Sequence, residues 1–504
     1  MKFNVLTRMK NAVTNYEGAK AYGMTPQLEL YAAVVTSGLS DTFYEKTGTR
    51  IQRLRELIAK NDPLFVAQLA VYARTQMHLR SVPLVLLVEL AKIHSGDDLI
   101  RKTVGKVVLR ADEITELLAY YQFSNNRSGT KKLNRLSKQL QKGLSDAFNR
   151  FDEYQFAKYN RDTEIRMRDA LFLVHPKAVS DNQQDLFNRI VTNELQVPYT
   201  WETKLSALGQ QSFQSDLAKK EAITATWEAL IDSGKLGYMA LMRNLRNILE
   251  ANVSYQHLSK VCETLANPDQ VRRSKQLPFR FLAAYREISV LKAGCTSMIL
   301  DALEDAVVHS AAQLKGFGYE TRTVVACDVS GSMQKPVSRN SKILMYDIGL
   351  MLAMMLQSRC KNVISGMFGD TWKIINVSQR NVLENVQKFY QREGEVGYAT
   401  NGYKVIVDLR MRQVIVDKIF IFTDCQLWST NAGNSMEKAW SDYKKIAPNA
   451  KLYLFDLMGY GNTPLSTNQN DVYLIAGWSD KVFEVLDALE NNQSALDVIK
   501  AIEL

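Results

Sequence analysis

Thr323-Val-Val-Ala-Cys-Asp328-Val-Ser330-Gly-Ser332 is an apolar, β-branched run that ends in alternating polar oxygens. Such a run reads as a buried strand. The residues after it put one carboxylate and two hydroxyls on a tight loop at the strand's C-terminal end, where open α/β sheets bind their ligands. All the donors are oxygen, so the loop is a candidate site for a hard cation such as Mg²⁺. One loop cannot complete a near-octahedral shell, and two later segments are placed to add to it. Thr400 lies in the glycine-flanked turn Gly397-Tyr-Ala-Thr-Asn-Gly402, and Asp424 closes the strand-like run Lys418-Ile-Phe-Ile-Phe-Thr-Asp424. Taken alone, Asp328, Ser330 and Ser332 would serve equally as turn or N-cap residues. Thr400 and Asp424, following in order, favour ligation.

The surroundings of this loop predict a doubly wound α/β domain. Strand-like runs fall at residues 323–327, 363–368, 418–423, 451–455 and 472–475, with amphipathic helical stretches such as 345–357 and 481–489. That alternation implies a parallel sheet covered on both faces. The methionine-rich stretch 351–356 reads as buried core rather than as an interaction surface. The pattern resembles the metal-ion-dependent adhesion site (MIDAS) of the von Willebrand factor A domain family. The resemblance implies that Ser330, Ser332 and Thr400 bind the metal directly, while Asp328 and Asp424 act through water or from behind the ligands.

At 504 residues the chain is long enough for more than one domain, and 46% apolar with 23% charged residues is a globular composition. No uninterrupted apolar run is long enough to span a bilayer, and the N-terminus lacks the apolar core of a signal peptide. A cytoplasmic protein without membrane association is expected. The five cysteines, Cys262, Cys295, Cys327, Cys360 and Cys425, show no C-x-x-C spacing. Cys327 and Cys425 flank the aspartates of the cation site, which has no use for a soft thiolate, and read as small buried residues. The five histidines show no metal-binding pairing.

Charge is unevenly distributed. Residues 320–504 carry 20 Lys+Arg and 20 Asp+Glu, so the whole formal charge of +10 falls on residues 1–319. Within residues 127–150, Arg127, Lys131, Lys132, Arg135, Lys138, Lys142 and Arg150 face the single acid Asp146. Arg135, Lys138 and Lys142 have helical spacing and share a face. Lys158, Arg161, Arg166 and Arg168 follow, with Phe156 and Tyr159 interleaved. Cations with interleaved aromatics suit phosphate contacts plus base stacking. A basic face can equally be a solvated one. An interfacial membrane helix is disfavoured because no continuous apolar face runs beside the charges.

Residues 1–319 read as consecutive amphipathic helices, for example 25–36, 50–59, 64–76, 82–93, 133–148, 222–230, 236–249 and 278–290, punctuated by turns such as Asn61-Asp-Pro63. Paired helices of this kind stack into an α-solenoid. The expected division is an all-α domain at 1–319 and an α/β domain at 320–504. Asp62-Pro-Leu-Phe-Val-Ala-Gln-Leu-Ala-Val-Tyr-Ala-Arg74, Leu236-Gly-Tyr-Met-Ala-Leu-Met-Arg-Asn-Leu-Arg246 and Leu277-Pro-Phe-Arg-Phe-Leu-Ala-Ala-Tyr285, followed by an A domain, resemble the TROVE module of the Ro autoantigen family and its bacterial Ro-like relatives. The likeness covers nearly the whole chain.

That resemblance implies a monomeric ring of HEAT-like repeats closed by the A domain. It further implies binding of small noncoding Y or Y-like RNAs on a basic outer surface, here residues 140–175, with Arg150 and Arg168 at basic positions. Single-stranded ends of misfolded RNA would enter a central hole, and the protein would work in RNA quality control beside an exoribonuclease. The histidine that vertebrate members use for Y RNA stands here as Met167. The chain shows no nucleophile constellation, no carboxylate cluster for two-metal chemistry and no P-loop, so a ribonucleoprotein scaffold without catalytic activity is expected. Two other readings are a module whose metal accepts an acidic residue of a protein partner, and, less favoured, a metal-dependent nuclease.

Overall fold

The computed structural model describes residues 12–37, 46–125, 136–311, 320–337, 341–428, 435–467, 471–479, 481–491 and 493–504. Its strands are β1 Ala12–Thr14, β2 Lys20–Gly23, β3 Arg322–Asp328, β4 Asn362–Phe368, β5 Trp372–Ile374, β6 Lys418–Thr423, β7 Lys451–Asp456, β8 Asn462–Thr463 and β9 Val472–Ala476. Six of them form one sheet in the order β5-β4-β3-β6-β7-β9, parallel throughout except for the antiparallel edge strand β5. The central strands are near-continuous apolar runs because both of their faces are covered. Val324, Ile419, Ile421 and Leu452 pack on one side with Trp440 and Tyr443. Every residue of the helix Met345–Gln357 is buried, so its methionines are core, as its apolarity all round implies.

Chain order along the sheet reverses at β3, whose neighbours are β4 on one side and β6 on the other. Two consecutive crossovers therefore leave in opposite directions, and a crevice opens at the C-terminal ends of β3 and β6.

The chain departs from the sequence expectation at its N-terminus, where residues 12–23 form a hairpin, not a helix. β1 and β2 pair antiparallel, and β2 continues onto β8, which makes a small second sheet of order β1-β2-β8. These strands are two to four residues long. Too short to show a period, they form only because partners hold them.

The helices begin where capping chemistry places them. Asp62 accepts from the N–H groups of Leu64 and Phe65 at 2.9 and 3.2 Å ahead of Pro63–Thr75, with proline at the first turn. The continuous helix expected at 236–249 is interrupted: Tyr238–Arg243 and Leu245–Glu250 meet at Asn244, whose side chain donates to Ala240 O at 2.8 Å. Asparagine competes locally for the backbone, and here it wins.

Packing gathers the chain into two compact units, Met1–Arg50 with Ala207–Ala495, and Ile51–Ser206 with Leu496–Leu504. A division by composition at 319/320 separates helices from sheet, whereas packing joins the later helices to the sheet. Arg286, in the helix Pro278–Ser289, makes a bidentate pair with the fully buried Asp347 at 2.8 and 2.7 Å. Glu304, in the helix Thr296–Ala311, accepts from the N–H groups of Leu383 and Glu384 and so caps the helix Val382–Arg392. In the other unit Arg74 pairs at 2.8 Å with the fully buried Glu113, and Gln68 binds the carbonyls of Lys500 and Ile502. The helix Lys138–Phe148 lies close against Leu99–Val107, since a Cβ at Gly143 would sit 2.7 Å from that of Val104.

Removing one partner of a buried ion pair strands the other. Arg286→Ala is expected to lower unfolding free energy by about 3–5 kcal/mol in urea denaturation, and Arg286→Met with Asp347→Asn by much less.

Candidate metal centre and nucleic-acid interface

Asp328 ends β3 and Asp424 follows β6, and these strands are paired with Cys327 opposite Phe422. Both carboxylates are buried. Asp328 accepts from the Ser330 N–H at 2.9 Å and from the Thr423 hydroxyl at 2.6 Å. Ser332 sits in the 3₁₀ turn Gly331–Gln334 with its Oγ 3.3 Å from Ser330 Oγ, and its hydroxyl stabilises the Asp424 carboxylate. Asp424 Oδ1 accepts from the Gln426 N–H at 2.9 Å.

Thr400 is brought in by backbone bonds on both sides of its loop. The Gly331 N–H donates to Tyr398 O at 3.1 Å, and the Trp428 N–H donates to Thr400 O at 3.0 Å. That loop also crosses Gly369 so closely that a Cβ there would lie 2.0 Å from Gly397 O. Only glycine permits the approach. All five residues predicted from sequence are therefore on three loops tied to one another.

Two polar atoms in this crevice, Thr400 Oγ1 and Asp424 Oδ2, are buried without a hydrogen-bond partner. Buried oxygens are seldom left so unless something else satisfies them. Three hydroxyls and two carboxylates are a hard donor set, and among the described residues no group of three His, Cys, Asp or Glu side chains is arranged to hold a metal ion. The residues present fit a Mg²⁺-class cation. Burial pushes both aspartates above the usual carboxylate range, and the Asp328 charge pushes Asp424 further. Cys327 and Cys425 are fully buried and their thiols are pushed up by desolvation. They are inert neighbours rather than ligands.

Sequence reasoning missed a third strand-end carboxylate. Asp456 closes β7 opposite Thr423, is fully buried, and accepts from the N–H groups of Met458 and Gly459 at 3.0 and 2.8 Å. Its signal was available, since Leu454-Phe455-Asp456 repeats the strand-then-aspartate pattern of the other two.

The basic residues are sorted by the structure into distinct roles. Arg127, Lys131, Lys132 and Arg135 lie outside the described residues. Lys138 and Lys142 are exposed one turn apart on Lys138–Phe148, and Arg161, Arg166 and Arg168 are exposed as well, Arg166 pairing with Asp162 at 2.6 Å. Arg150 instead turns its guanidinium onto the carbonyls of Gly105 and Val108 at the end of the helix Leu99–Val107. Its donors are occupied by a helix C-terminus.

Neither aromatic expected to stack on bases is freely exposed. Phe156 is fully buried against Phe148 and Phe151, and Tyr159 lies under the Arg110 guanidinium at 4.5 Å. Tyr154 and Phe172 are exposed instead, at 45% and 51%. Each has a cation four residues away on its own helix, Lys158 over the Tyr154 ring at 5.6 Å and Arg168 one turn before Phe172. Residues so spaced are neighbours on a helix surface. Met167 is 1% exposed, so the position that departs from the vertebrate histidine contributes to the core and not to the surface.

Residues 36–212 and 193–329 match the TROVE domain, and residues 322–489 match the Ro60 vWA domain. Fold and site together define a helical protein that carries a von Willebrand factor A domain. The chain belongs to the TROVE family and carries a Ro60-type A domain. Telomerase protein component 1 of Rattus norvegicus is 25% identical over 327 residues, and that of Mus musculus 26% over 315. Each match spans 49% of this chain and only 12% of the relative's length. The crystal structure of the Deinococcus radiodurans RO (RSR) protein shares the fold at a TM-score of 0.58 with 16% identity, covering 93% of this chain and 100% of that one.

Acids whose native pKa is raised bind more protons folded than unfolded, so their contribution is present at low pH and is lost as pH climbs through the native values. In chelator, the melting temperature is expected to fall between about pH 5 and about pH 8 by more in the wild type than in Asp424→Asn, and Mg²⁺ should abolish the difference.

Proposed function

We propose that this protein is a scaffold for small structured noncoding RNAs of the Y or Y-like kind, with single-stranded ends of misfolded RNA as a second ligand, acting in RNA quality control beside an exoribonuclease. The observation that carries the reading is the exposed set Lys138, Lys142, Lys158, Arg161 and Arg168 with Tyr154 and Phe172, all within the TROVE-matched residues. Cations bind phosphates and fix affinity, while exposed rings stack on unpaired bases. The sheet domain is electrically neutral and lacks this character. No catalytic turnover is proposed. The carboxylates and hydroxyls at the strand ends suffice for one cation, not for two-metal phosphoryl chemistry. Among the described residues no helix is long and apolar enough to cross a membrane. All five thiols are free, which fits a reducing compartment, and the cytoplasm is the proposed location.

A second role is favoured at the metal centre. Tyr398 and Trp428, beside the ligand loops, are exposed although large and aromatic, a composition typical of binding hot spots. Bound there, Mg²⁺ would supply an open position for an acidic group of a protein partner. This role and RNA binding are compatible.

Copurified RNA from native cells should contain one or a few enriched small structured species, read by sequencing. Reversal of Lys138, Lys142 and Arg168 to Glu is expected to release them, weakening binding at least about tenfold and reducing the salt slope by roughly 0.7–0.9 for each phosphate no longer neutralised. Arg150→Glu should act chiefly on stability, and Asp328→Ala should leave RNA affinity unchanged. Equal RNA loss in Asp328→Ala and the triple reversal would refute the assigned surface.

A further inference from the structure

The turn between β1 and β2, at the opposite end of the sequence, docks on the loop that follows Asp424 and brings the Glu17 carboxylate to Trp428. The turn between β1 and β2 is built around Asn15, whose Oδ1 accepts from the N–H groups of Glu17 and Ala19 at 3.1 and 2.8 Å, with Gly18 at φ +76°. It is docked onto the loop that follows Asp424. Asn15 Nδ2 donates to Leu427 O at 2.9 Å, and the Tyr16 N–H donates to Gln426 Oε1 at 2.8 Å. The same Gln426 donates its own N–H to Asp424 Oδ1. Tyr16 also packs edge-on against Tyr460 with ring centres 5.3 Å apart.

Glu17 is tied to the residue that holds the Thr400 loop. Its Oε2 accepts from Trp428 Nε1 at 2.7 Å, and Trp428 donates its backbone N–H to Thr400 O. One residue therefore bridges Glu17 and a metal-binding threonine. Negative charge brought toward two buried carboxylates is unfavourable by itself, and a cation between them inverts the sign. Thr400 Oγ1 and Asp424 Oδ2, buried and without partners, are the independent indication that something positive belongs there.

We propose that Glu17 is an internal acidic ligand of the metal centre, carried on the N-terminal hairpin to the position that an acidic partner would otherwise take. The inference rests on the cation reading of the site. Its consequence is regulatory. A tethered carboxylate is present at high effective concentration, so an external acid must displace it, and the hairpin sets the threshold for association.

Mn²⁺ binding to the full chain, measured by calorimetry for wild type, Glu17→Gln, Trp428→Phe and Asp328→Ala, tests this. Expected is one site in wild type that is lost in Asp328→Ala. Glu17→Gln should bind about tenfold more weakly, the size of effect seen when a supporting metal-site group is removed. It should also gain affinity for acetate in the presence of Mn²⁺. Trp428→Phe, which removes the indole hydrogen bond to Glu17 without altering the carboxylate, should bind Mn²⁺ at least as tightly as wild type. Unchanged affinity in Glu17→Gln, with Asp328→Ala inactive, overturns the role of Glu17 and leaves the metal centre standing. Equal losses in Glu17→Gln and Trp428→Phe also overturn it, since docking of the hairpin rather than ligation would then be the cause. No binding by wild type above Asp328→Ala removes the metal reading itself.

Discussion

Two carboxylates, Asp328 and Asp424, are held out of water at the ends of adjacent strands, and among the described residues neither forms an ion pair. Charge in that position must be compensated, by protons or by a cation. The rest of the centre follows from this constraint. The hydroxyls of Ser330, Ser332 and Thr423 converge on the two acids, and the Thr400 loop is pinned by Gly331, Gly369 and Trp428. The reversal of chain order at β3 is what makes room for the arrangement, since it parts the two crossovers above these strands.

The protein divides its electrostatic labour. The sheet domain is neutral and concentrates a small, dry, anionic pocket, whereas the positive charge lies on the helical residues, where it meets solvent. Phosphate recognition benefits from exposed cations whose counterions are released on binding. Cation coordination benefits from buried oxygens whose water has already been removed. Each surface is poorly suited to the other ligand. One chain thus carries two surfaces of opposite electrostatic character, one exposed and basic, the other buried and acidic.

The strands named from sequence, and most of the helices named, lie within a few residues of the observed elements, because long apolar runs and 3.6-residue periods survive in any tertiary context. The helix expected at 345–357 is the helix observed, Met345–Gln357. The failures have particular causes. Phe156 and Tyr159 lie among cations in sequence, yet a helix places Phe156 on the face opposite Lys158, toward Phe148. Arg150 looks like any other basic residue until the end of Leu99–Val107 is seen to offer it two carbonyls. Asn244 sits within an unbroken apolar period and still ends a helix. Glu17 carries no local signal at all.

What the sequence alone determined is whatever depends on neighbours along the chain. The strand-then-oxygen loop of Asp328, the glycine-flanked Thr400, the cap at Asp62, and the gathering of positive charge before residue 320 are of this kind. Tertiary structure alone decided which cations reach solvent, which aromatics face out, and that β1 and β2 are strands, because burial and edge pairing depend on residues that the fold, not the local sequence, brings beside them. β2 pairs with β8, and Asn15 binds Leu427. Pairings of that range have no periodicity to read, since the energy that forms them comes from the desolvated surface and hydrogen bonds of the assembled partners.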